Sequence, residues 1–234
     1  MLAKRITLTF EYLKEYWNML TIDYYSDLLC VWAWIAQRRI DELNAQFCDK
    51  IEWRFHYIDV FGNTESKMMS QWSERGYYEG FAQHVADSTA AFDEVEINSQ
   101  LWSQVQPKTS ANAHLVLKAV DVTLGHITSM EFALALRKAF FVEAFDISDL
   151  SVLFDLLKKS DLNDKLIKQA INDGSAIAAL MSDYQAAKSL SIKGSPSYVL
   201  DNGRQTLYGN VGYRVLHANI DELLKKPANE ASWC

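Results

Sequence analysis

Between residues 19 and 58 the apolar period of the chain changes twice, and no other feature limits the architecture so tightly. The stretch 19–25 (MLTIDYY) is rich in Ile, Thr and Tyr and reads as a strand. Ser26-Asp27 is a short polar turn. From Cys30 to Phe47 the apolar residues Val31, Trp34, Ile35, Ile40, Leu43 and Phe47 recur at helical spacing. The stretch 51–58 then alternates Ile51, Trp53, Phe55 and Tyr57 against Glu52, Arg54 and His56, a strand with two different faces. Strand, helix and strand in such close succession form the unit of a parallel pair with a crossover helix.

Phe61-Gly62-Asn63 ends this unit, and 64–187 is helical in pattern almost throughout. Ser66 looks like a cap, and helices are expected over 111–124, 129–144, 149–159 and 164–173. Leu115, Val116, Ala119 and Val122 give one apolar face; Phe132, Leu136 and Phe140 give another. Asp149 can cap the helix it precedes, while Gly125 and Gly174 mark helix ends. After Lys188 the pattern returns to α/β. A short strand at 197–201 leads into Asn202-Gly203, a hairpin turn, and 205–208 is the return strand. Asn210 is expected to cap a last helix over 211–224, with Val215, Leu216, Ile220, Leu223 and Leu224 inward and Pro227 as its stop. The expected class is α/β, a thioredoxin fold with a large all-helical insertion. Residues 19–62 and 188–228 form its split domain and 63–187 the insertion. Residues 1–18 are an N-terminal extension and 229–234 a C-terminal tail.

Composition narrows the function. The 234 residues are 49% hydrophobic and 12% aromatic, enough for a full core. A formal net charge of -7 argues against binding nucleic acid or an anionic membrane, both of which need clustered Lys and Arg. Three cysteines, Cys30, Cys48 and Cys234, are too few and odd in number for a secreted disulfide framework. Glu11, Lys14 and Glu15 break up the first twenty residues, so no signal-peptide core is seen, and no run reaches the ~18 apolar residues of a membrane span. The cytoplasm is the expected location, and an oligomer is compatible with the sequence.

Cys30 stands where the first strand passes into the helix. Unpaired backbone N–H groups and the helix dipole at that point favour a thiolate, the nucleophile of disulfide exchange. On its own Cys30 is more readily read as a buried structural thiol, the commoner fate of a Cys in an apolar context. The second element is Gly194-Ser195-Pro196, directly before the strand at 197–201. Pro fits there only at the start of the strand. A trans Pro in a loop is one reading. A cis bond would offer the backbone of Ser195 to a peptide whose sulfur meets Cys30.

The segment IDYYSDLLCVWAWIAQ resembles the active-site segment of the DsbA-like thioredoxin superfamily, particularly its FrnE-type branch, where Cys-Pro-Trp-Cys-Tyr is typical. Cys30 falls on the first Cys, Val31 on the Pro, Trp32 on the Trp and Trp34 on the Tyr. Ala33 falls on the second Cys and is the departure. Gly194-Ser195-Pro196-Ser197-Tyr198 matches the family's cis-proline segment, and the likeness covers about 19–225. It implies a thiol–disulfide oxidoreductase with Cys30 as nucleophile and Trp32, Ser195 and Pro196 at the substrate. Kappa-class glutathione transferases and 2-hydroxychromene-2-carboxylate isomerases share the fold but carry Ser at the first Cys. A glutathione-dependent transferase or isomerase is therefore an alternative, and a redox-inactive peptide-binding protein is another.

With Ala33 in place, a mixed disulfide on Cys30 must be resolved from elsewhere. The candidates are glutathione, as cosubstrate, and Cys234, with Trp233 to dock the tail. Cys48 is 18 residues from Cys30, ~27 Å along a continuous helix, and reads as a small buried hydrophobe. His56 reads as structural or exposed, and His114 as a helix-packing residue that could instead face the site. None of His84, His114, His126 and His217 has metal-ligand spacing, so no metal and no tightly bound cofactor is expected. The expected substrate is a small or protein-borne thiol or disulfide.

Overall fold

Four strands form one sheet in the order β2-β1-β3-β4. The computed structural model describes residues 19–225, so the N-terminal extension and the C-terminal tail, Cys234 included, lie outside the described residues. Strand β1 (Leu20–Ser26) runs parallel to β2 (Ile51–Tyr57) across helix α1 (Val31–Phe47), the expected crossover unit. Strand β3 (Ser197–Leu200) lies antiparallel to β1 on its other side and turns back as β4 (Gln205–Tyr208). Asp201, Asn202 and Gly203, all at positive φ, make that turn.

Between β2 and β3 come seven helices: α2 (Thr64–Gln71), α3 (Tyr77–Thr89), α4 (Ala111–Leu124), α5 (His126–Phe141), α6 (Leu150–Lys159), α7 (Asp164–Asn172) and α8 (Ser175–Ser189). Helix α9 (Tyr213–Leu224) follows the hairpin. The architecture is a thioredoxin-type α/β fold with a helical insertion. Asp149 caps α6 by accepting the Ser151 N–H, as its place in the sequence implies, and Gly125 turns the chain between α4 and α5 at φ +92°.

Three expectations fail in instructive ways. Residues 90–110 are not helical; Asn98 there bonds its side chain to Gln100 N–H and Val142 O, and such local side-chain bonds compete with a helix. Asn63, not Ser66, caps α2: its Oδ1 accepts the Ser66 N–H at 2.9 Å. The last helix begins at Tyr213 with Gly212 at its cap, because Asn210 Oδ1 is held by Arg39 across the molecule. Val215 is half exposed, whereas Leu216, Ile220 and Leu223 are buried as expected.

Alternation gives the sheet two unlike faces. Ile22 and Tyr24 of β1, Trp53 and Phe55 of β2 and Tyr198 of β3 share one, with Tyr24 packed on Phe55 at 5.1 Å and on Tyr198 at 5.2 Å between ring centroids. Asp23 and His56 belong to the other and open a polar seam. His56 bonds Asp23 Oδ1 and Asp183 Oδ1, each at 2.9 Å. Asp183 Oδ2 in turn accepts the Tyr57 N–H at 3.0 Å and pairs with Lys118 at 3.0 Å. Asp183 is therefore the bolt between α8, α4 and the sheet. Burial alone would push the His56 pKa down, but its bonds to Asp183 and Asp23 push it up. A His raised in the fold stabilises fully below its unfolded pKa of 6.5 and loses that contribution as pH rises through its folded value. Asp183→Ala should therefore cost about 3 kcal/mol in a urea melt, more at pH 6 than at pH 9; an equal loss at both would contradict the His56 contact.

Candidate functional site

The turn after β1 is organised by one carboxylate. Asp27 is fully buried. Its Oδ1 accepts the Leu29 N–H at 2.9 Å, and its Oδ2 accepts the Phe61 N–H and the Ser110 hydroxyl, each at 2.8 Å. Three separate pieces of chain are fixed to that single side chain. Its backbone carbonyl accepts the Cys30 N–H at 3.1 Å. This delivers Cys30 to the N-cap of α1, where the Cys30 carbonyl takes the N–H groups of Ala33 and Trp34 at 3.0 and 3.1 Å.

Ser195 closes the site from the far side of the chain. Its hydroxyl accepts the Asp27 N–H at 2.9 Å, and its carbonyl accepts the Cys30 thiol at 3.2 Å. The Ser195–Pro196 peptide is cis. The Ser197 hydroxyl donates to Gly194 O at 2.7 Å, which pins the turn before β3. Cys30, Ser195 and Pro196 thus meet at one point, where β1 and β3 are neighbours.

The electrostatics differ from the expectation. Cys30 is only 6% exposed, and burial pushes its thiol pKa up. The Ser195 bond and the Ala33 amide oppose that push, while the charge of Asp27 adds to it. At rest Cys30 is a neutral thiol and a hydrogen-bond donor. The helix N-terminus does not outweigh the loss of water. Burial also raises Asp27, to about 6, against the pull of the Leu29 and Phe61 amides, the Ser110 hydroxyl and the Lys67 charge. Lys67, half buried on α2, has its pKa lowered by burial and raised by Asp27 and Cys30; it is a cation whose field reaches both.

His114 stands behind this group. It is fully buried near the start of α4 and stacks on Tyr57 at 4.9 Å. Its Nε2 accepts the Leu28 N–H at 3.2 Å and lies 3.8 Å from Asp27 Oδ1. Burial, then the charge of Arg137, lower its pKa to about 3. The imidazole is neutral and carries its proton on Nδ1. So His114 does face the back of the site, as a positioning residue for the turn that carries Cys30.

The remaining residues fall out as follows. Trp32 is half buried against the core, two residues beyond Cys30. Trp34 donates its Nε1–H to Glu96 O at 2.9 Å and stacks on Phe141. Cys48 is exposed, not buried as expected, because it lies past the end of α1 at φ 25° with its thiol toward Asp49. Asp27, Lys67 and Ser110 were not foreseen as site residues. The available signal was an acidic residue closing an apolar strand three positions before the Cys. Among the described residues no cluster of His, Cys, Asp and Glu could hold a metal ion, and no helix is long and apolar enough to cross a membrane.

The profile of one family, the DSBA-like thioredoxin domain, matches residues 21–221. The chain is similar to the cytosolic disulfide reductase DsbM from Pseudomonas aeruginosa, at TM-score 0.65 and 18% identity, over 88% of this chain and 98% of that one. The same reductase with GSH gives TM-score 0.63 at 16% identity, over 88% and 99%. A probable DsbA oxidoreductase from Streptomyces coelicolor gives 0.68 at 16% identity, over 92% of each chain. A 2-hydroxychromene-2-carboxylate isomerase gives 0.60 at 16% identity, over 91% and 100%. At such identities the likeness is one of fold. No curated protein sequence matches.

His114 makes a pH prediction. A histidine kept neutral in the fold loses stability as pH falls from 6.5 toward 3, because the unfolded chain takes up the proton first. Asp27 acts oppositely between its unfolded value of 3.8 and about 6. The His114→Gln variant isolates the histidine. On going from pH 7 to pH 5 it should gain about 2 kcal/mol relative to the parent, at ~1.4 kcal/mol per pH unit below 6.5. An unchanged difference would mean that His114 takes up its proton in the folded protein as readily as in the unfolded chain.

Proposed function

Because the chain belongs to the DSBA-like thioredoxin family, we propose that it is a thiol–disulfide oxidoreductase working through one cysteine, Cys30. The observation that carries this reading is the 3.2 Å bond from the Cys30 thiol to Ser195 O beside the cis Ser195–Pro196 peptide, with Ala33 one helical turn on. The thiol is held where the internal strands β1 and β3 meet, against the Ser195–Pro196 backbone, and the position of a resolving thiol is empty of sulfur.

The exchange balances as follows. Cys30 loses its proton, and the thiolate attacks a substrate disulfide R–S–S–R′, forming Cys30–S–S–R and releasing R′–S⁻, which takes up a proton. A glutathione thiolate then attacks the sulfur of R, forming R–S–S–glutathione and returning Cys30 as thiolate. One substrate disulfide is broken and one mixed disulfide with glutathione is made, with no net electron left on the protein. Lys67 stabilises the Cys30 thiolate through its field, and Asp27 opposes it. Thiolate formation is therefore easier once Asp27 takes up a proton. Trp32 beside Cys30 and the Ser195–Pro196 backbone hold the substrate. The chain then acts in the cytoplasm, on small or protein-borne disulfides, and Cys234 is the intramolecular rival to glutathione as the resolving thiol.

A specific observation favours a second reading. A buried thiol with a raised pKa is a hydrogen-bond donor before it is a nucleophile. Such a group suits a glutathione-dependent transferase or isomerase, in which Cys30 orients a glutathione thiolate and no disulfide forms.

Intact-mass analysis after oxidised glutathione separates the two. In a Cys48→Ser/Cys234→Ser background, one adduct of glutathione should form on Cys30, disappear with reduced glutathione, and be absent when Cys30→Ala is added. Saturable glutathione binding without any adduct on Cys30 sinks the redox reading and supports the second. Cys234→Ser should leave the glutathione-dependent turnover unchanged if glutathione is the resolving thiol. Ala33→Cys places a second thiol at i+3, within disulfide reach. That variant should form an internal disulfide and turn over a peptide disulfide without glutathione, and failure to do either would mean that Cys30 is geometrically closed to exchange.

A further inference from the structure

Where the helical insertion meets β1 and β2 runs a chain of charged groups that the thiol site does not use. His56 Nδ1 lies 2.9 Å from Asp183 Oδ1, and its Nε2 lies 2.9 Å from Asp23 Oδ1. Asp183 Oδ2 meets Lys118 Nζ at 3.0 Å, and the same Nζ meets Asp121 Oδ2 at 3.2 Å. Asp121 Oδ1 lies 3.3 Å from His126 Nδ1. These six side chains link β1 and β2 to α8, α4 and the first residue of α5, and none is more than 29% exposed. Around them, Tyr25 stacks on His56 at 4.7 Å, Lys118 Nζ lies 5.8 Å from the centre of the Tyr57 ring, and Arg54 pairs with Glu52 on β2 itself.

Three carboxylates face one lysine, so the chain is electrically neutral only when both histidines are charged. A neutral imidazole has one N–H and one lone pair. Both nitrogens of His56 face carboxylate oxygens, so a neutral ring would set its lone pair against an anion. His126 has two arrangements within reach, because its Nε2 lies 2.7 Å from Trp53 O and 3.3 Å from Phe55 N. Doubly protonated, the ring donates to Trp53 O. Neutral, with its proton toward Asp121, it accepts the Phe55 N–H instead. Loss of both protons leaves two uncompensated negative charges in a seam sheltered from water. Lys118 and Asp121 share one face of α4 with His114 and the capping Ser110, since the four are spaced by three or four positions. One rod therefore carries these charges toward one end. At the other end it makes the Ser110 and His114 contacts to Asp27 and Leu28 that set the Cys30 turn.

We propose that Asp23, His56, Asp183, Lys118, Asp121 and His126 form a proton-operated clasp between the insertion and the sheet, closed while both histidines are charged, and that its opening loosens the α4 contacts covering Cys30. The clasp regulates the site named above, so its purpose rests on Cys30 being the reactive thiol. Its sense follows from His56. Burial pulls that group's pKa down, but the bonds to Asp183 and Asp23 carry it above its usual 6.5. The clasp is therefore fully closed below 6.5 and opens as pH rises through the folded value of His56. Both ends bias the same rigid helix, which is the physical link between them.

Alkylation of Cys30 by iodoacetamide reads the clasp, in the full chain with Cys48→Ser and Cys234→Ser. Below its pKa a thiol gains about tenfold in thiolate per pH unit, and the alkylation rate follows. Between about pH 6 and about pH 9 the parent rate should climb ~3-fold more than that single ionisation gives, as the clasp opens. His56→Gln cannot take up the proton. It should react ~3-fold faster than the parent at about pH 6 and equally at about pH 9. If that variant does not fold, Asp23→Asn carries the test: with one carboxylate fewer the ring loses its proton more easily, so the extra climb should move to lower pH. A parent profile that follows one ionisation, or an extra climb that neither variant alters, would overturn the clasp. Alkylation needs no disulfide, so a protein that shows the climb but forms no glutathione adduct on Cys30 would refute the redox reading alone.

Discussion

The fold and its site both hang on the three hydrogen bonds accepted by the Asp27 carboxylate. One is local, to Leu29, and shapes the turn that leads to Cys30. The other two reach Phe61, just past β2, and Ser110, at the threshold of the helical insertion. A buried acid satisfied from three directions is costly to disturb, since any lost partner leaves the others holding an unpaired charge. The price of that rigidity is chemical: the charge that fixes the turn also discourages ionisation of the thiol it presents.

The insertion is therefore part of the site, although its helices lie elsewhere in sequence. Ser110 and His114 come from its α4 threshold and first turn, Lys67 from α2. One turn further along α4, Lys118 pairs with Asp183, and the two tie α8 and α4 to β2. Two polar systems thus anchor the insertion to a largely apolar core.

Much of the architecture was legible before any coordinates. The strands at 19–25, 51–58, 197–201 and 205–208 fall within a residue or so of β1 to β4, because periods of two and near four are hard to confuse over such lengths. Caps were less legible. Asp149 behaved as its neighbours suggest, but Asn210 was drawn off by Arg39, a partner 171 positions away that no local rule sees. At the site, Cys30, Ser195 and Pro196 were readable from their motifs and do meet. The state of Cys30 was not: its pKa depends on burial and on Asp27, quantities set by tertiary packing. Lys67 was hidden for the same reason, and His114 was legible only as one of two readings, helix packing or facing the site, until the fold brings it behind the thiol.

The bond between Cys30 and Ser195 spans 165 positions, and this has a consequence for the newborn chain. Ribosomes add about 5–20 residues per second, so Cys30 exists for roughly 10–30 s before Ser195 is made. In that interval β1 can pair with β2 but has no β3, and the thiol lacks the carbonyl that will cover it. Long-range pairing of this kind closes late. The cysteine is thus most open to stray oxidation during its own synthesis, and arrival of the last strands is what puts it under guard.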